Sequence, residues 1–290
     1  MEVMNMKSIS DYLFETNAVR VSDPEKPFWY ASGTLGPFYV NTHFLLESEE
    51  KANELLALIE KSASGDREDF LTTLLPFVKK QYETCESYKT VIDLIVKKAE
   101  ELDFDFISGG ERRDFFFSLM PAYLLGKPHL SIFKDGQSYY SAQVEAKAVK
   151  VGEGDLSGKV SLHIADLITE ASSYTNAWIP SIRGVGATIT DTIAVIDRLQ
   201  GGEANLKKEG VNMYTFAKIE LSLFDEAVEK GILSTAQRNM VAHFMENPID
   251  YMKAFLVAHP SFIDEQIALG GKPKQRAEMA IARGYVPGRN

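Results

Sequence analysis

The chain has 290 residues, a length that indicates one large domain or one domain with an extension. Apolar residues make up 45% and charged residues 25%, which is ordinary globular usage. The net charge of −10 excludes a protein that coats nucleic acid, because neutralising phosphates requires a basic face. The single cysteine, Cys85, excludes an intrachain disulfide.

No targeting or membrane segment is predicted. The N-terminus lacks the basic start and apolar run of a signal peptide. No stretch approaches the roughly 18 consecutive apolar residues of a membrane helix. We therefore expect a cytoplasmic protein with neither a membrane nor a nucleic acid as partner.

The first hundred residues are predicted to be mostly helical. Apolar periodicity predicts helices over 7–20, 47–61 and 67–102. An aromatic-rich stretch from 28 to 40 separates the first two, and its glycines and proline mark turns. Within that stretch, 38–40 is predicted to be a strand.

The period of the apolar residues changes after residue 103. Strands are predicted over 104–108, 129–133, 160–164 and 187–196, with a helix over 112–125 and a polar loop over 134–140. Alternating strands and helices indicate βαβ units, and hence an α/β fold with a parallel sheet over roughly 104–217. Beyond residue 222 only helix is predicted, and the last twenty residues are basic.

Two predicted strand ends carry polar side chains. One runs from Ile107 to Arg113, and the other from Ile164 to Ser173. Ligands of open α/β sheets bind outside the carboxyl ends of the strands, and the N–H groups at a helix start favour phosphate. The second end offers an acid followed by small hydroxyl side chains. The alternative is that these hydroxyls only cap the following helix.

Four sequence blocks follow one another along residues 28–217. They are Ser32-Gly33 with Pro37-Phe38-Tyr39-Val40; Gly109-Gly110-Glu111-Arg112-Arg113-Asp114-Phe115 with Leu125-Gly126-Lys127-Pro128; Ile164 to Ser173; and Val195-Ile196-Asp197-Arg198 with Gly201-Gly202, Asn205-Leu206 and Gly210-Val211. In this order they resemble the phosphoribosyltransferase family and, within it, the orotate phosphoribosyltransferases. The second block is similar to the family's Gly-x-Glu-x-Arg-Gly-Phe motif.

The resemblance implies a fold and a domain organisation. The implied fold is a phosphoribosyltransferase-like parallel sheet flanked by helices, with an N-terminal hood and a C-terminal helical extension. We accordingly expect a phosphoribosyltransferase-like domain over 1–222, with the hood over 1–45. A helical extension is expected over 223–290.

The resemblance also implies a reaction, namely transfer of ribose 5-phosphate from phosphoribosyl pyrophosphate (PRPP) to orotate in pyrimidine nucleotide synthesis. Mg²⁺ is implied as an ion bound together with PRPP, and no metal site built from side chains is expected. A homodimer is implied because members of the family commonly form dimers. The implied catalytic residues are Asp166 and Lys134. The implied substrate-binding residues are Ser32, Gly33, Phe38, Tyr39, Thr169, Ser172, Ser173 and Arg198.

Several residues depart from the family pattern. Ala165 replaces the first of two acids, and Glu170, Ala171 and Ser172 replace a threonine and two glycines of the phosphate loop. Ala31 and Phe133 stand at positions where the family has a lysine and an arginine. We therefore expect PRPP to bind weakly or not at all and orotate turnover to be low. The alternative function is a catalytically degenerate protein of this fold that binds a nucleotide or related ligand in a regulatory role.

The retained residues have alternative interpretations. Asp166 is also explained as a turn or cap residue, Arg198 as half of an ion pair, and Lys134 as a solvated loop lysine. The run Glu111-Arg112-Arg113 is interpreted as a charge cluster that holds the fold rather than as catalytic. If the resemblance extends to the base site, Arg198 lies within a side-chain length of 32–39.

Overall fold

The structure is a computed structural model that describes residues 7–289. These residues form two compact units. The first unit holds 7–18 and 41–219, and the second holds 19–40 and 220–289. Within 7–289 no helix is long and apolar enough to cross a membrane.

Eleven strands and twelve α-helices make up the regular structure of residues 7–289. The strands are β1 (Val19–Val21), β2 (Phe28–Trp29), β3 (Leu35–Gly36), β4 (Phe38–Val40), β5 (Phe106–Gly110), β6 (His129–Ile132), β7 (Ser138–Ser141), β8 (Val149–Val151), β9 (Val160–Ile168), β10 (Thr188–Asp197) and β11 (Asn212–Lys218). The helices are α1 (Ile9–Glu15), α2 (Glu49–Ala63), α3 (Phe70–Thr84), α4 (Glu86–Ala99), α5 (Phe115–Leu124), α6 (Ile179–Gly184), α7 (Gly202–Lys208), α8 (Leu221–Glu229), α9 (Thr235–Glu246), α10 (Pro248–Ala258), α11 (Phe262–Leu269) and α12 (Gly271–Ala282).

The first unit is built on a seven-stranded sheet in the order β11-β10-β9-β5-β6-β7-β8. The pairs from β11 to β6 are parallel, and β7 and β8 are added antiparallel at one edge. The predicted α/β class with a parallel sheet is therefore confirmed. The antiparallel edge differs from the prediction, which made 134–140 a loop.

The strand order reverses between β5 and β9. From β5 the chain crosses through α5 to β6 on one side, and from β9 it crosses through α6 to β10 on the other. Because such crossovers are right-handed, the two helices leave toward opposite faces of the sheet. A crevice therefore opens at the carboxyl ends of β5 and β9, where sheets of this kind bind ligands.

The core of the first unit lies on both faces of this sheet. All five residues of β5 and seven of the nine in β9 are buried, as expected for central parallel strands. The aromatic run Phe115–Phe117 is fully buried in α5, and the Tyr88 hydroxyl donates to the Phe116 carbonyl at 2.5 Å. This packing fixes the start of α5, which borders the crevice.

The helix predicted over 67–102 is two helices, α3 and α4. The chain leaves helical geometry at Cys85, whose φ is −113° and ψ is 115°. The Ser87 hydroxyl donates to the Leu45 carbonyl at 2.9 Å. The break is thus fixed by a partner 42 residues away, which no local periodicity reveals.

The second unit joins the aromatic-rich stretch to the C-terminal helices. Strand β1 pairs with β4 and β2 pairs with β3, both antiparallel. Leu35 packs in one buried cluster with Met252, Phe255, Ala277 and other residues of α10–α12. Residues 19–40 of the predicted hood thus group with the C-terminal helices, whereas 7–18 and 41–45 group with the sheet. The organisation into a 1–222 domain and a 223–290 extension remains a prediction.

The basic residues near the C-terminus are part of this second unit. Arg276 donates to the Ala31 carbonyl, and Arg283 donates to the Ser32 carbonyl at 2.7 Å. Arg289 forms a two-pronged ion pair with Asp264. A guanidinium holds a backbone turn well because its several N–H groups are fixed in one plane.

Candidate functional site

A cavity of about 290 Å³ lies at the crevice between the carboxyl ends of β5 and β9. On one side it is lined by 111–114, which follow β5. The other side is lined by 165–169 and 171–173, at the end of β9 and just beyond, and by Tyr174 and Trp178. The cavity therefore occupies the position at which the strand order predicts a ligand.

Asp166 lies within β9, two residues before the strand ends, and only 8% of it is exposed. Burial, followed by the neighbouring Asp114 carboxylate, raises the pKa of Asp166 to about 7. The Arg113 guanidinium opposes this rise. A carboxyl group that titrates near neutrality inside a cavity is typical of functional sites.

Asp114 is the second buried acid of the cavity, with 7% of its surface exposed. Its Oδ1 accepts a hydrogen bond from the Asp166 backbone N–H at 3.2 Å, and its Oδ2 accepts one from the Gly110 N–H at 3.2 Å. The same Oδ2 lies 3.4 Å from His163 Nε2. Asp114 therefore links the end of β5 to the end of β9.

A chain of buried hydroxyls leads to His163. The Ser161 hydroxyl donates to Ser108 Oγ at 2.8 Å, and Ser108 Oγ lies 2.9 Å from His163 Nδ1. A neutral His163 ring that accepts the Ser108 proton at Nδ1 carries its own proton on Nε2, 3.4 Å from Asp114 Oδ2.

The loop after β9 keeps a backbone shape that glycine would favour. Ala171 stands where the family has glycine, and its φ is +60°, in the left-handed region that favours glycine. The Asn205 side chain donates to the Glu170 carbonyl at 3.0 Å. A Cβ on Gly202 would lie 2.2 Å from Ile168 Cγ2 and 2.6 Å from the Thr169 carbonyl oxygen. Close packing of α7 therefore holds the loop.

Glu170 is exposed, and its side chain is not part of the cavity lining. The flanking residues Thr169 and Ala171 do line the cavity, as do the exposed serines Ser172 and Ser173. A helical turn begins at Ser172, so its first N–H groups have no partner within the turn. The loop thus presents hydroxyl and backbone donors to the cavity and turns its one carboxylate away from it.

The Glu111-Arg112-Arg113 run contributes charge to the cavity from the β5 side. Glu111 accepts the Lys134 backbone N–H at 2.9 Å, and Arg112 forms an exposed ion pair with Glu60. Arg113 lies close enough to Asp166 to oppose the rise of its pKa. The run therefore both holds the fold, as interpreted from the sequence, and lines the cavity.

Arg198 and Lys134 do not line this cavity. The Arg198 backbone N–H donates to the Ile168 carbonyl at 2.9 Å, so its backbone lies beside the end of β9. Lys134 is exposed in the β6–β7 turn and lines a separate cavity of about 670 Å³. Of the residues implied in the first unit, Asp166, Thr169, Ser172 and Ser173 thus line one cavity, while the other two lie outside its lining.

The remaining implied residues lie in the second unit. Ser32 is exposed, and its hydroxyl lies 2.7 Å from that of Thr34. Gly33 has a φ of +77°, and Met279 leaves little room for a Cβ there. Phe38 is buried against Phe224, and Tyr39 is 36% exposed. Their roles in binding a base remain predictions.

Asp114 and Trp178 are cavity residues that the sequence did not single out. Asp114 carried a signal, because it stands at the second glycine of the Gly-x-Glu-x-Arg-Gly-Phe motif. Trp178 carried none, since an aromatic side chain in a helix ordinarily packs in the core. Within 7–289 no group of three or more His, Cys, Asp or Glu side chains could hold a metal ion.

Gly110 has no side chain, and the Trp178 ring fills the space beside it at the cavity. A Cβ at this position would lie 2.4 Å from two carbons of the Trp178 ring. We expect Gly110→Ala to displace the ring and to lower the free energy of unfolding by about 1–3 kcal/mol, measured by urea denaturation. Gly152→Ala is the control, since nothing lies within 4 Å of its added Cβ. Equal stability of the two variants would contradict the packing described.

No protein-family model matches the sequence. The chain is 22% identical over 165 residues to orotate phosphoribosyltransferase of Sulfurisphaera tokodaii, covering 57% of this chain and 80% of the relative. Among solved structures, Leishmania donovani UMP synthase aligns with a TM-score of 0.55 and 15% identity, over 82% of this chain and 41% of that one. Orotate phosphoribosyltransferase of Francisella tularensis aligns with a TM-score of 0.50 and 14% identity, over 81% and 96%. The chain therefore has the phosphoribosyltransferase fold and resembles the orotate phosphoribosyltransferases.

Proposed function

We propose that the cavity binds PRPP or a related phosphorylated ribose, and that the chain transfers ribose 5-phosphate to orotate only slowly. The observation that carries the proposal is the joint lining of one cavity by Asp166, Thr169, Ser172 and Ser173. Hydroxyl and N–H donors suit a phosphate, and a buried carboxylate suits the hydroxyls of a sugar.

The phosphate would lie against the loop 169–173. Its donors are two serine hydroxyls and the free N–H groups at the start of the helical turn. Since the Glu170 side chain is outside the lining, it opposes the phosphate from a distance and not by contact. This supports weak binding over no binding.

The departing pyrophosphate needs positive charge, and the cavity offers Arg112 and Arg113. Mg²⁺, when bound through PRPP, would supply further neutralisation of that charge. Its ligands would come mainly from PRPP, in keeping with the lack of a side-chain metal cluster in 7–289. Phe133 is buried in the core where a cation is expected by resemblance, which favours slow transfer.

A second candidate function is a regulatory protein that binds a nucleotide or related ligand at this cavity without turnover. Ala165 favours it, because this residue lines the cavity but offers no acceptor. In this case the ligand binds and orotate is not consumed. The homodimer expected by resemblance, and the cytoplasmic location expected from the sequence, are equally compatible with both candidates.

The test is orotate consumption with PRPP and Mg²⁺, followed by the loss of orotate absorbance. We expect turnover well below the usual enzyme range of about 1–1,000 per second. Asp166→Asn should abolish it, whereas Asp103→Asn, at an exposed aspartate outside the cavity, should not. Turnover within the usual range contradicts slow transfer. Saturable PRPP binding without any consumption selects the regulatory candidate.

A further inference from the structure

We propose that Asp114 is the second carboxylate of the ligand site and that, with Asp166, it selects ligands carrying the two neighbouring hydroxyls of a ribose. The proposal rests on the proposed binding of a phosphorylated ribose and names a specificity-determining residue for it. No role in ligand binding follows for Asp114 from its family counterpart, since glycine stands at that position of the motif.

The cavity brings together three acidic side chains, and two of them, Asp114 and Asp166, are held next to each other. Asp114, Asp166 and Glu111 line it, but a Glu111 oxygen is engaged by the Lys134 backbone N–H at 2.9 Å. The adjoining strand residue, Ala165, is 1% exposed and has no polar side-chain atom. Asp114 is the acid whose Oδ1 accepts the Asp166 backbone N–H at 3.2 Å, so it is the one held beside Asp166.

Asp114 retains acceptor capacity after its protein contacts are counted. Each carboxylate oxygen has two lone pairs, and each accepts one backbone N–H bond, from Asp166 and from Gly110. One lone pair on each oxygen is thus left for a ligand. His163 Nε2 is a further protein group close to this carboxylate, 3.4 Å from Oδ2. Two carboxylates side by side can accept one hydrogen bond each from two adjacent hydroxyls.

Polar groups surround the Asp114 carboxylate and hold it in place. Two backbone N–H groups donate to it, and His163 Nε2 lies 3.4 Å from its Oδ2. Ser108 Oγ, which accepts from the Ser161 hydroxyl, lies 2.9 Å from Nδ1 of the same histidine ring. Burial and then the Asp114 charge raise the pKa of Asp166 to about 7.

The experiment compares two ligands that differ only in the hydroxyls, namely ribose 5-phosphate and 2,3-dideoxyribose 5-phosphate. Binding is measured by calorimetry at pH 8 for the unmodified protein and for Asp114→Asn. We expect the unmodified protein to prefer ribose 5-phosphate by roughly tenfold or more, since hydrogen bonds to charged groups are lost with the analogue. In Asp114→Asn the preference should fall by about tenfold, while affinity for inorganic phosphate stays unchanged.

If Asp114 only held the ends of β5 and β9 together, its replacement would lower the affinity for ribose 5-phosphate, the dideoxy analogue and inorganic phosphate alike. Asp114→Ser is the second variant, because its hydroxyl oxygen can still accept a backbone N–H bond at the junction of the two strands. An undiminished preference in either folded variant overturns the proposal. Equal affinities of the unmodified protein for the two sugars also overturn it, and leave phosphate binding intact. Failure to bind ribose 5-phosphate or PRPP at all overturns the proposed function as well.

Discussion

Asp166→Asn is expected to stabilise the folded protein at pH 8 by up to about 4 kcal/mol and to abolish orotate turnover. The stabilisation follows from the pKa of Asp166, which burial and the Asp114 charge raise from 3.8 to about 7. Every tenfold change in an acid dissociation constant between the unfolded and folded states corresponds to about 1.4 kcal/mol. Asparagine at this position removes the cost of holding a charge in the cavity.

The sign of the pH dependence is fixed by which state holds the proton. Between about pH 4 and 7 the folded protein retains a proton on Asp166 that the unfolded chain has lost. Stability of the unmodified protein therefore falls across this interval as pH rises. Asp166→Asn lacks this contribution, so its advantage should be near zero at pH 4 and fully developed at pH 8.

The measurement is urea denaturation of both proteins at pH 4, 6 and 8. Comparing them at each pH cancels the contributions of ionisable groups that do not interact with Asp166. Asp103→Asn should shift stability by less than about 0.5 kcal/mol at any pH, as is usual for an exposed site. An advantage of Asp166→Asn that does not grow between pH 4 and 8 would show that Asp166 is ionised at little cost.

Glu170→Gln is expected to raise the affinity for PRPP by about tenfold at low salt. The Glu170 carboxylate is exposed but adjoins the loop that faces the phosphate. At about 8 Å and an effective dielectric of about 60, it opposes each phosphate charge by about 0.7 kcal/mol, so two charges give about 1.4 kcal/mol, or tenfold. Because solvent ions reach an exposed carboxylate, the gain should shrink as the salt concentration rises.

The measurement is calorimetric titration with PRPP and Mg²⁺ at two salt concentrations. Glu100→Gln is the control, since it removes an exposed carboxylate at the end of α4, away from the cavity lining. A gain above a hundredfold that persists in high salt would place the Glu170 carboxylate against the phosphate. No gain at any salt concentration would mean that the phosphate does not lie on this loop.

Much of the sheet was predictable because its signals are local. The change of period at residue 103 correctly predicted strands that became β5, β6, β9 and β10. The antiparallel edge was missed, because polar residues around Tyr139 and Tyr140 are typical of a loop until a neighbouring strand pairs with them. The grouping of 19–40 with the C-terminal helices depends on contacts across more than 200 residues, such as that of Arg276 with Ala31.

The candidate site was predictable on one strand end and not on the other. Asp166, Thr169, Ser172 and Ser173 are close in sequence, so one motif gave all four. Asp114 lies 52 residues from Asp166, and only the pairing of β5 with β9 brings the two carboxylates together. That Glu170 lies outside the cavity lining likewise depends on how the loop folds, which no residue pattern specifies.

The most direct test of the account is a calorimetric titration of the folded, unmodified protein with PRPP and Mg²⁺, and separately with orotate and orotidine monophosphate. We expect saturable but weak binding of PRPP, with one site per chain, that is lost when Thr169, Ser172 and Ser173 are together replaced by alanine. A protein that binds none of these ligands at millimolar concentration, or whose PRPP affinity survives that triple replacement, would contradict the assignment of this cavity.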